Sequence, residues 1–232
     1  VTVGIAAASG SNFAQTHSKS NASVTLDAGS GINVKSIDVY SSNSDRITAD
    51  AEGNSGGIIN VAPYAAKVEN NMENTTTTTV NGAINAADKV YVQALRKDDV
   101  NLRADAISAA VAGGSGTGVD SKITDTTNVN INQAQITAQG DLRAEAENQV
   151  LLNRGSDRYD KMVLGNGYGG LTVTVAGLEN IVTSNANVTI DESTLNSKGD
   201  MELIAHSNED MRANGYVYSL GAVQDANNSV KN

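Results

Sequence analysis

Apolar residues in this chain recur at every second position, in short runs separated by turns. Val1, Val3 and Ile5 alternate with small or polar residues, as do Val24 and Leu26, Ile37 and Val39, Val90 and Val92, Val129 and Ile131, and Leu171, Val173 and Val175. A period of two is the signature of a strand with one buried face. Gly, Asn, Asp and Ser punctuate the runs every 6 to 12 residues, which predicts many short strands. No stretch keeps helical spacing over three turns. Even Ala134 to Glu147 reads as two short strands separated by Gly140-Asp141.

The runs also repeat. Ser184-Asn185-Ala186-Asn187-Val188-Thr189-Ile190-Asp191 matches Ser20-Asn21-Ala22-Ser23-Val24-Thr25-Leu26-Asp27 at six of eight positions. A further copy is Val129-Asn130-Ile131, followed by Ile136 and Gly140-Asp141-Leu142-Arg143-Ala144. The first apolar residues after successive turns, Ile37, Val90, Leu142 and Met201, lie 53, 52 and 59 residues apart. Both Ile37 to Met201 and Val24 to Val188 therefore span 164 residues, so the register does not depend on one anchor. Long, near-constant periods mark repeat architectures.

The fold expected is all-β, a right-handed parallel β-helix built from repeats of about 52–59 residues, in which residues one period apart stack. It is one β-helix segment, 1–232, excerpted from a longer chain, with a partial repeat at 1–22 and units at 23–75, 76–126, 127–184 and 185–232. The predicted inward columns are Ile37, Val90, Leu142, Met201; Val39, Val92, Ala144, Leu203; and Ser41, Ala94, Ala146, Ala205. Ser23, Thr76, Asn128 and Asn187 are expected to stack outward. The run Thr75 to Thr79 puts Thr77 in the column of Val24, Val129 and Val188, and Thr79 in that of Leu26, Ile131 and Ile190. Pro63 predicts a sheet edge or a strand end, and Gly113 to Gly118 a flexible loop. An antiparallel sandwich or barrel of about 20 strands explains the alternation but not the register. Such a period is too long for one compact triangular rung. Each unit makes either two rungs or one rung with a hairpin.

Composition sharpens this. The 232 residues include one Phe, no Trp, one Pro and 22 Gly, so the interior must be thin and lined by Val, Ile, Leu and Ala. There is no Cys, which removes disulfides, thiol catalysis and thiolate metal sites. The formal charge is −10 and the 16 Lys and Arg are scattered. Nucleic acid and anionic membranes are therefore not expected partners. No apolar run approaches the roughly 20 residues that a membrane-spanning helix needs, so membrane insertion by this segment is not expected.

The sequence Val-x-Ile, then Ile or Leu, then Gly140-Asp141-Leu142-Arg143-Ala144 or Gly199-Asp200-Met201-Glu202-Leu203, with its Asn-Ala-x-Val-Thr-Ile restart, resembles the filamentous haemagglutinin-like exoproteins of Gram-negative bacteria. It is nearest in kind to the leukotoxin-type filamentous adhesins of fusobacteria and related anaerobes. The resemblance covers all four units. It implies a right-handed β-helical shaft, exported across the outer membrane and displayed or released, acting in adhesion or toxicity.

Candidate chemistry is sparse. Gly113 to Asp120 is similar to one calcium-roll repeat, but a lone copy builds no site. Asp27 and Asp191 share a register, yet the units between place Val80 and Asn132 there, so these are turn-capping aspartates, as Asp141 and Asp200 are turn residues. His17 and His206 stand apart as surface side chains without partners for zinc or a triad. No catalytic, cofactor-binding or metal residue is expected, and no cofactor. The candidate partner-binding loop is the polar excursion holding Arg154, Arg158, Tyr159, Asp160 and Lys161, because insertions in solenoids are often where partners bind. The functional expectation is a non-enzymatic adhesive shaft segment, secreted or on the bacterial cell surface. It would be a monomeric part of a fibre, meeting a host or bacterial surface receptor of protein or glycan. The alternatives are a passenger segment of a leukotoxin-type exotoxin acting on host cells and a carbohydrate-active β-helix enzyme, whose chemistry needs converging carboxylates.

Overall fold

The computed structural model describes residues 2–8, 12–154 and 157–231. The chain is a parallel β-solenoid. A partial first coil holds β1 (Thr2–Ala8), β2 (Asn12–Asp27) and β3 (Ile32–Val34). Two uninterrupted coils follow, β4 (Ile37–Ala86) and β5 (Val90–Ala138). The next comprises β6 (Leu142–Leu152), β7 (Val163–Asp191) and β8 (Thr194–Ser197), and the last β9 (Met201–Met211), β10 (Gly215–Leu220) and β11 (Val223–Lys231). Each coil pairs in parallel with those above and below, so backbone groups are satisfied between coils, about 4.8 Å apart. Every ladder among the described residues is parallel, which excludes the antiparallel sandwich.

Each repeat makes one coil, and the coil is flattened. In β4 the outgoing half faces the returning half across a thin interior: Ser41 Oγ lies 2.6 Å from Thr78 Oγ1, and the space above Gly53 is closed by the Ala65 carbonyl. A long flat coil accommodates some fifty residues without a second rung or a hairpin. The turns Lys35-Ser36, Ala87 to Lys89 and Gln139 to Asp141 form one narrow edge, here the turn edge. The opposite edge, around residues 57–64 and 110–116, is the bend edge.

The expected columns are present. Ile37 pairs with Val90, Val90 with Leu142 and Leu142 with Met201; Val39, Val92, Ala144 and Leu203 stack likewise, as do Ser41, Ala94, Ala146 and Ala205. The threonine run is shifted by one residue. Val24 pairs with Thr78 and Leu26 with Val80, not with Thr77 and Thr79, while the outward column is Ser23, Thr77, Asn128 and Asn187. Likewise Asn81, not Val80, sits between Asp27 and Asn132. The cause lies at the bend edge. Ala62 pairs with Ser115 but Ala66 with Thr117, so the offset from β4 to β5 falls there from 53 to 51 residues instead of the 52 of the sequence spacing. A one-residue slip exchanges faces, and Thr76 and Thr78 are therefore fully buried.

The 59-residue spacing also has a local cause. Between β5 and the next coil the offset is 52 up to Val100 and Leu152, then 59 from Ala104 and Val163 onward. The excursion between β6 and β7 supplies the difference. The β4 to β5 ladder lapses between Ala62 and Ala66, the interruption expected at Pro63. Gly113 to Gly118 is no loop: it runs inside β5 and turns the coil at the bend edge.

From turn edge to bend edge the interior has four zones. An apolar cluster comes first, including Val80, Ile84, Val90, Val92, Ile131, Ile136 and Leu142. A polar seam follows. A second apolar cluster holds Val68, Met72, Leu102, Ile123, Leu152 and Leu178. The last zone, at the bend edge, is lined by Ser55, Asn60, Ser108, Ser115, Thr172 and Thr174, all buried.

Candidate functional site

Among the described residues, three regions depart from a plain apolar-in, polar-out coil. The excursion is the first, and the coil's own geometry decides how it leaves. After Leu152 the chain abandons the ladder at Asn153, which is fully buried with a positive φ of 56°, a conformation Asn tolerates. Its amide replaces the missing strand: Leu102 N donates to Asn153 Oδ1 at 2.7 Å, and Asn153 Nδ2 donates to Leu102 O at 3.1 Å. Thus no backbone group of Leu102 is orphaned in the core.

The candidate loop residues are brought against the coil. Arg154 Nε lies 2.7 Å from Asp210 Oδ2. Arg158, on the 3-10 turn Asp157–Tyr159, bonds Asp50 and lies 3.2 Å from Glu52 Oε1. Asp160 pairs with Arg212, Lys161 Nζ stands 5.4 Å from the centre of the Tyr216 ring, and Tyr159 is half-buried. Arg158, Lys161 and Asp157, together with Glu52 and Arg103, whose Nη1 lies 2.8 Å from Glu52 Oε1, border an open cleft of about 490 Å³. Arg154, Arg158 and Asp160 thus clasp the excursion across several coils, each matched by an opposite charge on the coil.

The second region is the polar seam, which the sequence reading missed. Arg96 and Asp98 are buried, with Asp125 opposite them, also buried. Arg96 Nη2 lies 2.7 Å from Asp45 Oδ2 and 2.5 Å from Asp98 Oδ1, while Nη1 donates to Ser20 Oγ at 2.8 Å. The Asn74 amide bridges two carboxyls, reaching Asp98 Oδ2 at 3.2 Å and Asp125 Oδ1 at 2.9 Å. Burial pushes the Asp125 carboxyl up to about 8, reinforced by its hydrogen bond with Asp98 and by that neighbour's charge. For Asp45, burial works upward, but the hydrogen bonds of Arg96 and Ser20, the Arg96 charge and the Ser18 hydroxyl together outweigh it and hold the carboxyl below its ordinary value. A signal was present in the sequence: the inward parity of Val90, Val92 and Ala94 continues through Arg96 and Asp98 to Val100.

The third region is the outside of the bend edge. Ile58, Ile59, Val111, Leu171, Val173 and Val223 are each about half exposed or more, and Ile59, Ala112, Leu171 and Val223 stack in one column. Tyr168 and Tyr218 lie beside them, ring centres 5.9 Å apart. Exposed apolar ladders of this kind mark interaction surfaces.

The other candidates sit as expected for turn and surface residues. Asp27 Oδ1 accepts from Gly29 N at 3.2 Å, and Asp141 Oδ1 from Asp200 N at 3.2 Å. His17 and His206 are both exposed. Compared with protein-family models, curated proteins and solved structures, the chain matches none.

Proposed function

We propose that the chain is a structural and adhesive shaft segment of a secreted or surface-displayed bacterial filament, without catalytic activity. The observation that carries this reading is the outward apolar ladder of the bend edge, mounted on coils stacked in register. A coil whose backbone bonds all run between rungs extends along one axis and presents the same surface at every level. Ile59, Ala112, Leu171 and Val223 then offer one outward column, with Val173 next to it and Tyr168 and Tyr218 supplying aromatic area and hydroxyls. The resemblance to filamentous haemagglutinin-like exoproteins supports the same role, with a protein or glycan receptor on a cell surface as the partner.

The test is attachment of the purified chain to host epithelial cells, compared with a Leu171→Ser, Val173→Ser double variant. The expected result is loss of at least tenfold in cell binding with an unchanged β-type circular dichroism spectrum. Undiminished attachment by the variant would remove the bend edge from the proposal. Release of reducing sugar from pectin or a host glycan would replace it with a carbohydrate-active enzyme.

A further inference from the structure

The seam between the two apolar clusters holds more negative than positive charge. Asp45, Asp98 and Asp125 surround one guanidinium, that of Arg96, and Arg96, Asp98 and Asp125 are all shut off from solvent. Among the described residues, the groups packed against them add no charge. The coil above Asn74 contributes Ser18 and Ser20, and the coil below contributes Asn148, Val150 and Ser184, in register with Arg96, Asp98 and Asp125. Asp98 lies on the outgoing half of its coil and Asp125 on the returning half, so their contact joins the two faces. Asn74 supplies a donor to each, yet Asp125 Oδ2 has no hydrogen-bond donor and is buried. Two adjacent carboxylates in a dry site cannot both ionise cheaply.

We propose that the seam is a proton-operated lock, in which a proton on Asp125, shared by hydrogen bond with Asp98, holds the two faces of the coil together and its loss in alkali loosens them. With the proton bound, the cluster carries one net negative charge. Without it the net charge is two, and like charges face each other across the interior.

The sign follows from linkage. Between the ordinary carboxylate range and about pH 8 the folded chain keeps a proton on Asp125 that the unfolded chain has released. Stability from this group is therefore fully present below the ordinary carboxylate value and is lost as pH rises to about 8. The Asp125 contribution alone raises the unfolding constant by up to about tenfold per pH unit within that window.

The experiment compares thermal unfolding of the full chain and of Asp125→Asn from about pH 6 to about pH 9. The expected result is a midpoint that falls with pH in the natural chain, a flatter profile in the variant, and a variant more stable than the natural chain at the alkaline end. Parallel profiles overturn the proposal. Infrared spectroscopy of the unaltered chain provides an arm that does not depend on the variant's folding. A protonated-carboxyl band present at about pH 6 and absent at about pH 9 is expected, and absence of that band at the lower pH overturns the lock.

Discussion

The two narrow edges of the coil obey opposite rules. At the turn edge the large aliphatic side chains point inward, as Val90, Ile136 and Leu142 do, all fully buried. At the bend edge the interior receives Ser55, Asn60, Ser108, Thr172 and Thr174, and the aliphatic side chains of Val111, Leu171 and Val173 point outward. Space explains the difference. A methyl group added to Gly167 would come within 2.2 Å of Thr174 Oγ1, so the two halves of the coil meet too closely there for a Leu or Ile. Small hydroxyl and amide side chains fit and bond one another: Asn60 Nδ2 reaches Ser55 Oγ at 2.7 Å and Ser108 Oγ at 3.0 Å, and Thr172 Oγ1 lies 2.6 Å from Ser219 Oγ. Alternation alone says that two faces differ, not which is inside.

The comparison can be broken most severely at the turn edge. Leu142→Ala removes a fully buried side chain stacked between Val90 and Met201, and is expected to cost about 2–5 kcal/mol in a denaturant titration. A cost under about 1 kcal/mol would show that this interior is loosely filled. At the bend edge the stabilising groups are polar, so Asn60→Ala is expected to cost about 1–3 kcal/mol by the same measurement, because Ser55 and Ser108 lose their shared donor. The smallest effect belongs outside: Val173→Thr, at a position 48% exposed, should change stability by no more than about 0.5 kcal/mol. A large loss there would mean that the outer ladder packs against something rather than facing solvent.

Much of the fold was legible in residues. The column Ile37, Val90, Leu142, Met201 could be read from spacing, because stacked aliphatic positions need the same chemistry at every level. The shift at Thr76 to Val80 was hidden for the converse reason. Five successive threonines look alike in either register, and the slip arises elsewhere, at the bend where the ladder passes from Ala62 over Ser115 to Ala66 over Thr117. The seam was half legible. Arg96 and Asp98 lie at inward parity, and Asp45 stacks on Asp98 at the same spacing as Ile37 on Val90, but Asp125, with Asn74 stacked on it, meets them only when the coil flattens. The polar excursion could be recognised as an insertion, but its mooring could not. Arg158 meets Asp50 and Glu52 over more than a hundred residues of chain.

The sequence by itself determined the repeat, the strand period and the stacking of like on like, since these follow from local alternation and a near-constant spacing. The tertiary structure alone decided which face of each strand turns inward at the bend edge, and that Asp125 meets Asp98 across the seam. Both depend on the distance between the two halves of a coil, which no local pattern encodes.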